Sequence, residues 1–494
     1  MDDKRIQAIA GDVARALGES SMPVTPAGNW QRFDVPPRPR STLPAAAARP
    51  DGRGMGVFPT VDAAYAAASE AFRAYQKVSL EQRYAIVESV RRKLRAHLEE
   101  ISTLGAEETG LGRAEDKVKK NRLVTDKTPG PEILRPEAWS GDHGLMITEP
   151  APYGVIGSIT PSTNPSETVI NNGIGMISAG NAVVFNAHPS ARRVTLRTIS
   201  LFNEAVVEAG GPRDLLATCA EPSIETAQAL MRVKGIRLLV VTGGAAVVQE
   251  AFRSGKKVIA AGPGNPPVVV DETADLVKAA RDTTASASLD NNVICTSEKE
   301  TFCVASVVDR LLEEMVQAGC YLMTRQQAAE LRRHILAEER GPGKPGVIRR
   351  ECVGKNANVL LARIGVHVGD GVRLAVYKAE PDDPLVWTEQ LMPVYPVVPV
   401  RDCAEGIDIA VRAEHGFGHT ASMFSRNIDM LSEMARRINT SIFIKNGPNF
   451  AGLGLGGEGY TSFTIASPTG EGMTNARHFS RYRRCTLVDH FRIV

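Results

Sequence analysis

The run Ile236-Arg-Leu-Leu-Val-Val241, followed directly by Thr242-Gly-Gly-Ala245, is the clearest indication of the fold. A short apolar run that ends in two glycines ahead of a helical pattern predicts a buried strand that turns into a helix. Similar runs occupy residues 154–159, 182–185, 214–217 and 258–260, and segments of helical period separate them. This alternation predicts an α/β fold, in which helices cover both faces of a parallel sheet.

The turn at Thr242, Gly243 and Gly244 is also the first candidate binding site. Backbone amides can approach a pyrophosphate closely at a helix N-terminus where glycine leaves out the Cβ atom. The fingerprint GxGxxG is absent from the first strand-to-helix turns. A dinucleotide site and a plain tight turn are therefore both consistent with this pattern.

Composition bounds the class of protein. A chain of 494 residues is long enough for two or three domains of roughly 100 to 200 residues each. With 43% hydrophobic and 23% charged residues and a net charge of +2, the composition is that of an ordinary globular protein, and we expect no broad electrostatic binding of nucleic acid. No stretch reaches the roughly 20 consecutive apolar residues of a membrane span, so we expect no membrane association.

Cysteine usage predicts a reducing, cytoplasmic location. The seven cysteines form no CxxC pair and no zinc-ligand pattern, so we also expect no metal site. The N-terminus lacks the apolar segment and the small-residue cleavage site of a secretory signal.

The N-terminal region differs from the rest of the chain. Residues 1–18 predict a short amphipathic helix, because Ile6, Ile9 and Leu17 recur at helical spacing. Residues 19–56, rich in Pro, Ala and Gly, are typical of a linker. The helix either folds back onto its own domain or docks onto a partner. We favour docking, since an isolated helix this short is marginal in water until its apolar face finds a partner.

Two further regions have clear patterns. Residues 62–78 and 80–106 predict helices, with Ser79 and Gln82 at capping distance ahead of the second. Near the C-terminus, Arg481-Tyr-Arg-Arg-Cys-Thr-Leu-Val488 alternates as a strand does. That strand either pairs with another subunit or closes the edge of a sheet in its own chain.

Cys295 is the candidate nucleophile. It stands in Ser288-Leu-Asp-Asn-Asn-Val-Ile-Cys-Thr-Ser297, between polar and small residues that leave a thiol usable. By contrast, Cys303 lies in an apolar run and is predicted to be a core residue. The remaining cysteines lack a comparable motif; they are Cys219, Cys320, Cys352, Cys403 and Cys485.

Five motifs in a fixed order resemble the aldehyde dehydrogenase superfamily. They are Ile159-Thr-Pro-Ser-Thr-Asn-Pro165, Thr242-Gly-Gly244, Gly262-Pro-Gly-Asn265, Cys295 and Thr388-Glu-Gln-Leu-Met-Pro393. Within this resemblance, which covers nearly all of residues 55–494, two stretches are similar to the CoA-acylating branch and in particular to the propionaldehyde dehydrogenases of bacterial microcompartments. These stretches are Asn186-Ala-His-Pro-Ser190 and Asn291-Asn-Val-Ile-Cys295.

The resemblance implies an aldehyde dehydrogenase-like architecture. It combines a Rossmann-like NAD-binding domain with an α/β catalytic domain and a β oligomerisation arm. The implied boundaries are 57–262 for the nucleotide-binding domain, with 135–151 contributing to the arm, 263–445 for the catalytic domain, 446–480 for a return to the nucleotide domain, and 481–494 for the oligomerisation strand. A homodimer or a homotetramer is expected.

The resemblance also implies the chemistry. Cys295 adds to an aldehyde, because the resulting oxyanion can expel a hydride to NAD whereas the free aldehyde cannot. Coenzyme A then takes the acyl group. The oxyanion needs donors, which the superfamily supplies from the backbone N–H of the nucleophile and an Asn side chain. That Asn position aligns with Thr163, and Asn164 is next to it; either can donate, or both belong to a polar turn ahead of Pro165.

The NAD-binding residues implied by the same motifs are Thr160, Pro161, Thr242, Gly243, Gly244, Gly262 and Glu389. Glu389 aligns with the superfamily Glu that holds the nicotinamide ribose, and its neighbour Leu391 replaces the usual Phe. His415 and His419 are candidates for acid–base work, although a structural role is the default. The glycine-rich residues 452–459 are expected to close over the substrate channel or to form plain surface.

Departures from the superfamily point to the acyl acceptor. Hydrolytic members place a Glu just before the turn at Gly262, and Ala261 stands there instead. Water would lack a general base, whereas a thiol is more acidic and intrinsically nucleophilic. Asn186 replaces a Lys that binds the adenosine ribose, and Pro189 stands where a Glu is frequent, so ribose contacts must differ.

These observations predict a CoA-acylating aldehyde dehydrogenase that converts a short aliphatic aldehyde, preferentially propionaldehyde, with NAD and coenzyme A. An acetaldehyde-preferring enzyme, a hydrolytic enzyme and an inactive docking scaffold are the alternatives. Residues 1–18 are similar to the helices by which such enzymes enter microcompartments, which implies a shell protein as partner and a location inside a microcompartment.

Overall fold

The structure is a computed structural model that describes residues 54–340 and 342–493. The docking helix predicted at residues 1–18 and most of the linker at 19–56 lie outside the described residues.

Strands and helices are numbered along the described residues. The strands are β1 (Val57–Phe58), β2 (Glu137–Gly141), β3 (Gly144–Pro152), β4 (Val155–Ile159), β5 (Ala182–Asn186), β6 (Leu216–Cys219), β7 (Leu238–Thr242), β8 (Lys257–Ala261), β9 (Pro267–Val270), β10 (Glu300–Val304), β11 (Tyr321–Leu322), β12 (Leu336–Glu338), β13 (Val347–Ile348), β14 (Ala375–Lys378), β15 (Val394–Val400), β16 (Thr420–Phe424), β17 (Ile442–Lys445), β18 (Ile465–Ala466), β19 (Gly472–Met473) and β20 (Ser480–Val488). The helices are α1 (Val61–Tyr75), α2 (Leu80–Ala96), α3 (Leu98–Thr109), α4 (Ala114–Lys127), α5 (Pro165–Ser178), α6 (Arg192–Glu208), α7 (Ile224–Arg232), α8 (Ala245–Arg253), α9 (Leu276–Ala287), α10 (Val308–Gln317), α11 (Arg325–Ile335), α12 (Ala357–Ala362), α13 (Cys403–Ala413) and α14 (Ile428–Ile438).

A six-stranded sheet contains the stretch Leu238–Thr242. Its spatial order is β1-β6-β5-β4-β7-β8, and all neighbouring strands are parallel. Every residue of β4 and β5 is buried, which requires cover on both faces because successive side chains of a strand point to opposite sides. The predicted apolar runs fall on β4 to β8, and the predicted α/β fold is confirmed.

A second parallel sheet follows in the chain. Its seven strands have the order β11-β14-β15-β10-β9-β16-β17 and are parallel throughout. Leu331, Leu360 and Ile407 belong to the apolar core on one side of it, and Ala280, Leu311 and Phe424 to the core on the other. The two sheets place strands within the ranges that we assigned to the nucleotide-binding and catalytic domains, while the domain roles stay predictions.

The helix predicted at residues 80–106 is wrong in one respect, because the structure has two helices there. His97, between α2 and α3, leaves the helical conformation with φ −117° and ψ 14°. The apolar spacing runs through this break, so the sequence pattern cannot reveal it. Half of the predicted capping box is present: the backbone N–H of Gln82 donates to Ser79 Oγ at 3.2 Å, whereas the Gln82 side chain donates to the Ala209 carbonyl at 2.9 Å.

A three-stranded antiparallel sheet stands apart from the two parallel ones. Its order is β2-β3-β20, with Ser480 opposite Pro152 and Val488 opposite Gly144. The predicted C-terminal strand therefore pairs with its own chain, in a separate sheet. β20 lies at the edge and is exposed along almost its whole length. Among the described helices, none is both long and apolar enough to cross a membrane.

Candidate active site

The order of the first sheet creates a crevice between β4 and β7. From β4 the chain continues to β5 and β6 on one side, and it returns to β7 on the other side of β4. Ile159 at the end of β4 is in register with Val241 near the end of β7. Ligands of open α/β sheets bind at such a switch point, outside the carboxyl ends of the strands. Thr160 and Thr242 both lie at this edge.

Several features of this crevice fit a nucleotide phosphate. Thr160 is 1% exposed, and its hydroxyl group has no hydrogen-bond partner among the described residues. Helix α8 begins at Ala245 without a side-chain cap, so its first backbone N–H groups are available. A Cβ atom built at Gly244 would meet nothing within 4 Å. The open helix N-terminus and the unused hydroxyl group are what an anionic group requires.

Cys295 lies beside the loop between β8 and β9. The thiol is free and half-buried. A Cβ atom at Gly264 would approach the Cys295 carbonyl oxygen to 2.6 Å, so only glycine permits this packing. The backbone N–H of Gly264 donates to Glu389 Oε1 at 3.3 Å. The structure therefore brings the predicted nucleophile, the turn that begins at Gly262 and Glu389 together.

The loop ahead of Cys295 has an unusual backbone. Asp290, Asn291 and Asn292 are consecutive left-handed residues, with φ of 51°, 53° and 65°. Asp and Asn adopt this region more readily than other non-glycine residues. Each is also held by its side chain: Asn291 Nδ2 donates to the Gly354 carbonyl at 2.9 Å, and Asn292 Nδ2 donates to the Ala287 carbonyl at 2.7 Å. These bonds fix the course of the chain that leads to the thiol.

Asp290 is the centre of a buried charge cluster. Its carboxylate accepts hydrogen bonds from the Arg113 backbone at 2.8 Å and from Lys117 Nζ at 2.9 Å, and it lies 2.5 Å from Lys120 Nζ. Its own backbone N–H donates to Asp116 Oδ2 at 2.9 Å. Helix α4 supplies both lysines and Asp116. This helix is therefore joined through charge to residues 288–295, the loop that carries the predicted nucleophile and is here called the nucleophile loop.

The charges around Cys295 act in opposite directions. Burial, and to a smaller extent the nearby Glu389 carboxylate, raise the pKa of the Cys295 thiol to about 12. Lys299 and Lys120 counteract both, because a positive charge favours the thiolate. Burial also raises the pKa of Glu389. The thiol therefore needs a change in its surroundings, such as the arrival of substrate or cofactor, before the thiolate becomes common.

Lys299 is held below the nucleophile loop. It is fully buried, and its ammonium group contacts Asn292 Oδ1 at 2.5 Å and the carbonyl oxygens of Asn292 and Ile294 at 3.1 and 3.2 Å. Burial lowers the pKa of Lys299, while Glu389 and Cys295 oppose that shift. Three oxygen acceptors match the three donors of an ammonium group. Lys299 thus connects both ends of the short segment that precedes Cys295.

Thr163 and Asn164, the two candidate oxyanion donors, lie at the start of α5. Asn164 is the N-cap residue. Its Oδ1 accepts a hydrogen bond from Lys120 Nζ at 2.6 Å, and its Nδ2 donates to Thr163 Oγ1 at 3.2 Å. Pro161 precedes them in the same turn after β4. Asn164 therefore belongs to the lysine-rich cluster that also contacts Asp290, and Thr163 is bonded to Asn164.

The side chains at two positions that depart from the superfamily, Ala261 and Asn186, offer little for ligand binding. Ala261 ends β8 and is 4% exposed, so this place holds only a methyl group. Asn186 ends β5, and its amide is used internally: Oδ1 accepts from Thr226 Oγ1 at 2.7 Å, and Nδ2 donates to the Ser223 carbonyl at 3.4 Å.

The two histidines differ in their surroundings. His415 Nε2 donates to the Trp387 carbonyl at 3.0 Å. His419 is fully buried, its Nδ1 contacts Thr420 Oγ1 at 2.9 Å, and burial lowers its pKa to about 3. His419 is therefore neutral at physiological pH, and a Cβ atom at Gly264 would contact its ring.

The glycine-rich residues 452–459 are fastened to α4. Lys127 Nζ donates to the carbonyl groups of Gly454 and Gly457 at 2.5 and 3.1 Å. Closure over a substrate channel stays a prediction for this loop.

The lysines of this site carry no signal in the sequence that marks them as site residues. Lys117, Lys120 and Lys299 are each at most 2% exposed, although lysine is a surface residue by default. Lys117 and Lys120 lie three apart on α4 and thus share a face, but their spacing equals that of an ordinary solvated face. Only the acidic and amide partners from distant elements distinguish them.

The chain has extensive similarity to known proteins. The sequence profile of the aldehyde dehydrogenase family matches residues 58–463. The acetaldehyde dehydrogenase (acetylating) EutE of Salmonella typhimurium is 50% identical over 443 residues, which span 89% of this chain and 94% of that protein.

Solved structures are similar over the same extent. A propionaldehyde dehydrogenase from the fucose utilisation bacterial microcompartment of Clostridium phytofermentans has a TM-score of 0.86 at 41% identity, and the match covers 89% of this chain and 100% of that one. The propionaldehyde dehydrogenase of Rhodopseudomonas palustris with bound CoA and an acylated cysteine has a TM-score of 0.85 at 44% identity, with 88% and 98% covered.

Proposed function

The chain belongs to the aldehyde dehydrogenase family, and from this premise we propose that it is a CoA-acylating aldehyde dehydrogenase, which oxidises a short aliphatic aldehyde and transfers the acyl group to coenzyme A. We further propose that NAD accepts the hydride. Its support is the half-buried thiol of Cys295 in a charged site, together with the identity of half of all aligned residues to an acetylating relative.

The first step is the addition of the thiolate. Cys295 Sγ forms a bond to the carbonyl carbon of the aldehyde, and the carbonyl oxygen receives the electron pair as an oxyanion. The backbone N–H of Cys295 and the side chain of Asn164 or Thr163 stabilise this charge. Loss of a hydride from the same carbon leaves a thioester on Cys295.

The nicotinamide site is assigned to residues at the crevice between β4 and β7 and at the nucleophile. NAD, when bound, supplies the hydride acceptor. The free hydroxyl group of Thr160 and the uncapped start of α8 fit its phosphates. The residues proposed to hold it are Thr160, Pro161, Thr242, Gly243, Gly244, Gly262 and Glu389.

Ala261 is the observation that selects coenzyme A over water as acyl acceptor. Hydrolysis of the Cys295 thioester needs a base to activate water, and the methyl group of Ala261 provides none. The thiol of coenzyme A is intrinsically more acidic and more nucleophilic, so it attacks the thioester and releases the Cys295 thiolate without a dedicated carboxylate.

The aldehyde is proposed to have two or three carbon atoms. Propionaldehyde is the predicted substrate, and two structural neighbours are propionaldehyde dehydrogenases. Acetaldehyde is the second candidate, because the acetylating relative is 50% identical. Comparison of kcat/KM for the two aldehydes decides between them.

One assay tests the activity. NADH formation from propionaldehyde is measured with and without coenzyme A, in the wild type, in Cys295→Ala and in the control Cys485→Ala, whose cysteine is exposed on β20. We expect sustained NADH formation only with coenzyme A, its loss in Cys295→Ala, and wild-type rates in Cys485→Ala. Sustained NADH formation without coenzyme A would indicate the hydrolytic enzyme. Absence of NADH in every sample would indicate the scaffold.

The helix predicted at residues 1–18 is proposed to direct the enzyme into a microcompartment. A structural neighbour comes from such a compartment, and residues 1–18 have the amphipathic spacing of a docking helix. Deletion of residues 1–18 should leave NADH formation unchanged and abolish co-purification with microcompartment shell proteins. Loss of activity in the truncated chain would instead make the helix part of the catalytic fold.

Assembly into a dimer or a tetramer is proposed to use the sheet β2-β3-β20. Its exposed side chains include Trp139, Tyr482 and Val488, at 53%, 63% and 60% exposure, and large exposed apolar groups mark association surfaces. Light scattering of Tyr482→Lys should report a smaller particle than the wild type. An unchanged mass would exclude this surface.

A further inference from the structure

Lys120 is buried and contacts both the start of α5 and the loop that leads to Cys295. It is 1% exposed. Its ammonium group lies 2.6 Å from Asn164 Oδ1, 3.0 Å from Glu167 Oε1 and 2.5 Å from Asp290 Oδ2. Asn164 and Glu167 belong to the start of α5, while Asp290 belongs to the loop that leads to Cys295. One side chain thus joins the candidate oxyanion donor to the nucleophile loop.

The contact with Lys120 fixes the orientation of the Asn164 amide. An ammonium group only donates hydrogen bonds, so the amide atom that faces it must be the carbonyl oxygen. The NH₂ group of Asn164 then points the other way, where it donates to Thr163 Oγ1 at 3.2 Å. Without Lys120, nothing in this contact would distinguish the two ends of the amide.

Lys120 is also charged under working conditions. Burial works against the ammonium form, but Asp290 and Glu167 outweigh it and raise the pKa of Lys120 to about 12. Asp290 has a second cation, Lys117, at 2.9 Å. Asp290 therefore has a positive partner even without Lys120. Asn164 Oδ1 does not, because Lys120 is the one ammonium or guanidinium group among the described residues that bonds to it.

We propose that Lys120 is a positioning residue, which orients the Asn164 amide so that its NH₂ group serves the oxyanion and which couples that amide to the Cys295 loop through Asp290. This inference rests on the proposed function. It assigns the donor role to Asn164, with Thr163 as its hydrogen-bond partner.

The test compares Lys120→Met with Lys77→Met, a control at an exposed lysine ahead of α2. Loss of one oxyanion donor costs about 10²–10³ in kcat, and we expect a loss of about ten- to hundredfold in Lys120→Met because a misoriented amide retains part of its function. KM for NAD should change by less than about twofold, since Lys120 acts in the transition state and not in cofactor binding. Wild-type kcat in Lys120→Met would overturn the proposal.

A double-mutant cycle separates orientation from simple structural support. Asn164→Ala alone should reduce kcat by the full amount, and Lys120→Met should then add little in the double variant, because its effect passes through the missing amide. Independent, multiplicative losses would overturn the proposal. So would an unchanged kcat in Asn164→Ala.

A charge-balanced variant keeps the test valid if Lys120→Met alone fails to fold. Lys120→Met/Glu167→Gln removes one cation and one anion, and it leaves Lys117 paired with Asp290. The cycle with Asn164→Ala is repeated in this background, with Glu167→Gln as its reference, and the same non-additive outcome is expected. The wild type assayed with and without coenzyme A reports separately on the proposed function, so a failure of that function appears before any Lys120 variant is made.

Discussion

The ammonium group of Lys299 donates a hydrogen bond to the carbonyl oxygen of Ile294 at 3.2 Å, and Ile294 directly precedes Cys295. The same group contacts Asn292 twice. Lys299 therefore affects the proposed nucleophile, Cys295, in two ways. It fixes the backbone next to the thiol, and it places a positive charge close to the thiol in a buried environment, where charge interactions are strong.

Lys299→Met should make Cys295 less reactive. Removal of the positive charge raises the pKa of a thiol whose pKa burial already raises to about 12, so less thiolate is present at any given pH. We expect the rate of alkylation by iodoacetamide at pH 8 to fall by about tenfold, which corresponds to roughly one pKa unit. Lys445→Met, at an exposed lysine that ends β17, should retain the wild-type rate. Equal rates in both variants would show that Lys299 has no electrostatic effect on the thiol.

Glu389→Gln should make the Cys295 thiol more reactive and NAD binding weaker. The Glu389 carboxylate raises the pKa of Cys295, so its neutralisation should speed alkylation of the free enzyme severalfold. If Glu389 also holds the nicotinamide ribose, KM for NAD should rise in the same variant. Glu380→Gln, at an exposed glutamate nearby in sequence, serves as the control. Slower alkylation in Glu389→Gln would contradict the assigned charge effect.

Ala261→Glu should introduce hydrolysis. A carboxylate at the end of β8 would restore the place from which hydrolytic relatives in the superfamily activate water, and NADH formation should then continue without coenzyme A. Ala261→Gln has a similar size but no basic group, and it should remain dependent on coenzyme A. The measurement is steady-state NADH formation with coenzyme A omitted. Equal rates in the Glu and Gln variants would remove the argument from general base catalysis.

Glu298 should make stability depend on pH. Burial raises its pKa from 4.5 to about 7, so between these values the folded state holds a proton that the unfolded state has released. Stability therefore falls as the pH rises from 4.5 to 7, by about 3 kcal/mol in total. Above pH 7 this contribution no longer changes.

Glu298→Gln should remove that dependence, because its side chain stays neutral at every pH. Denaturant unfolding at pH 5, 6, 7 and 8 measures the slope. Glu107→Gln, at an exposed glutamate on α3, should keep the wild-type slope. An identical slope in wild type and Glu298→Gln would place the titration elsewhere.

The parallel strands could be predicted from the sequence because a strand buried on both faces is a continuous apolar run. The predicted run 182–185 corresponds to β5 (Ala182–Asn186), and 236–241 to β7 (Leu238–Thr242). The interruption at His97 could not be predicted, since the apolar face continues from α2 into α3. Local pattern therefore specifies the type of an element better than its continuity.

The residues of the site also differ in whether the sequence can predict them. Cys295, Glu389 and the turn that begins at Gly262 were recognisable from motifs, and the structure brings them together. Lys120 and Lys299 were not, because their partners come from distant elements and their own neighbours in sequence are ordinary. The choice between Thr163 and Asn164 likewise depends on a lysine from α4 that no local pattern connects to them.

The three left-handed residues Asp290, Asn291 and Asn292 restrict which amino acids evolution can place ahead of Cys295. A β-branched side chain at any of them would meet a steric penalty of about 1–3 kcal/mol, whereas glycine would keep the backbone and lose only the side-chain bonds. Codon randomisation under selection for aldehyde turnover should therefore recover only a few types of amino acid at these three positions. Glycine should be tolerated better at Asn291 than at Asp290, because two buried lysines require the Asp290 carboxylate.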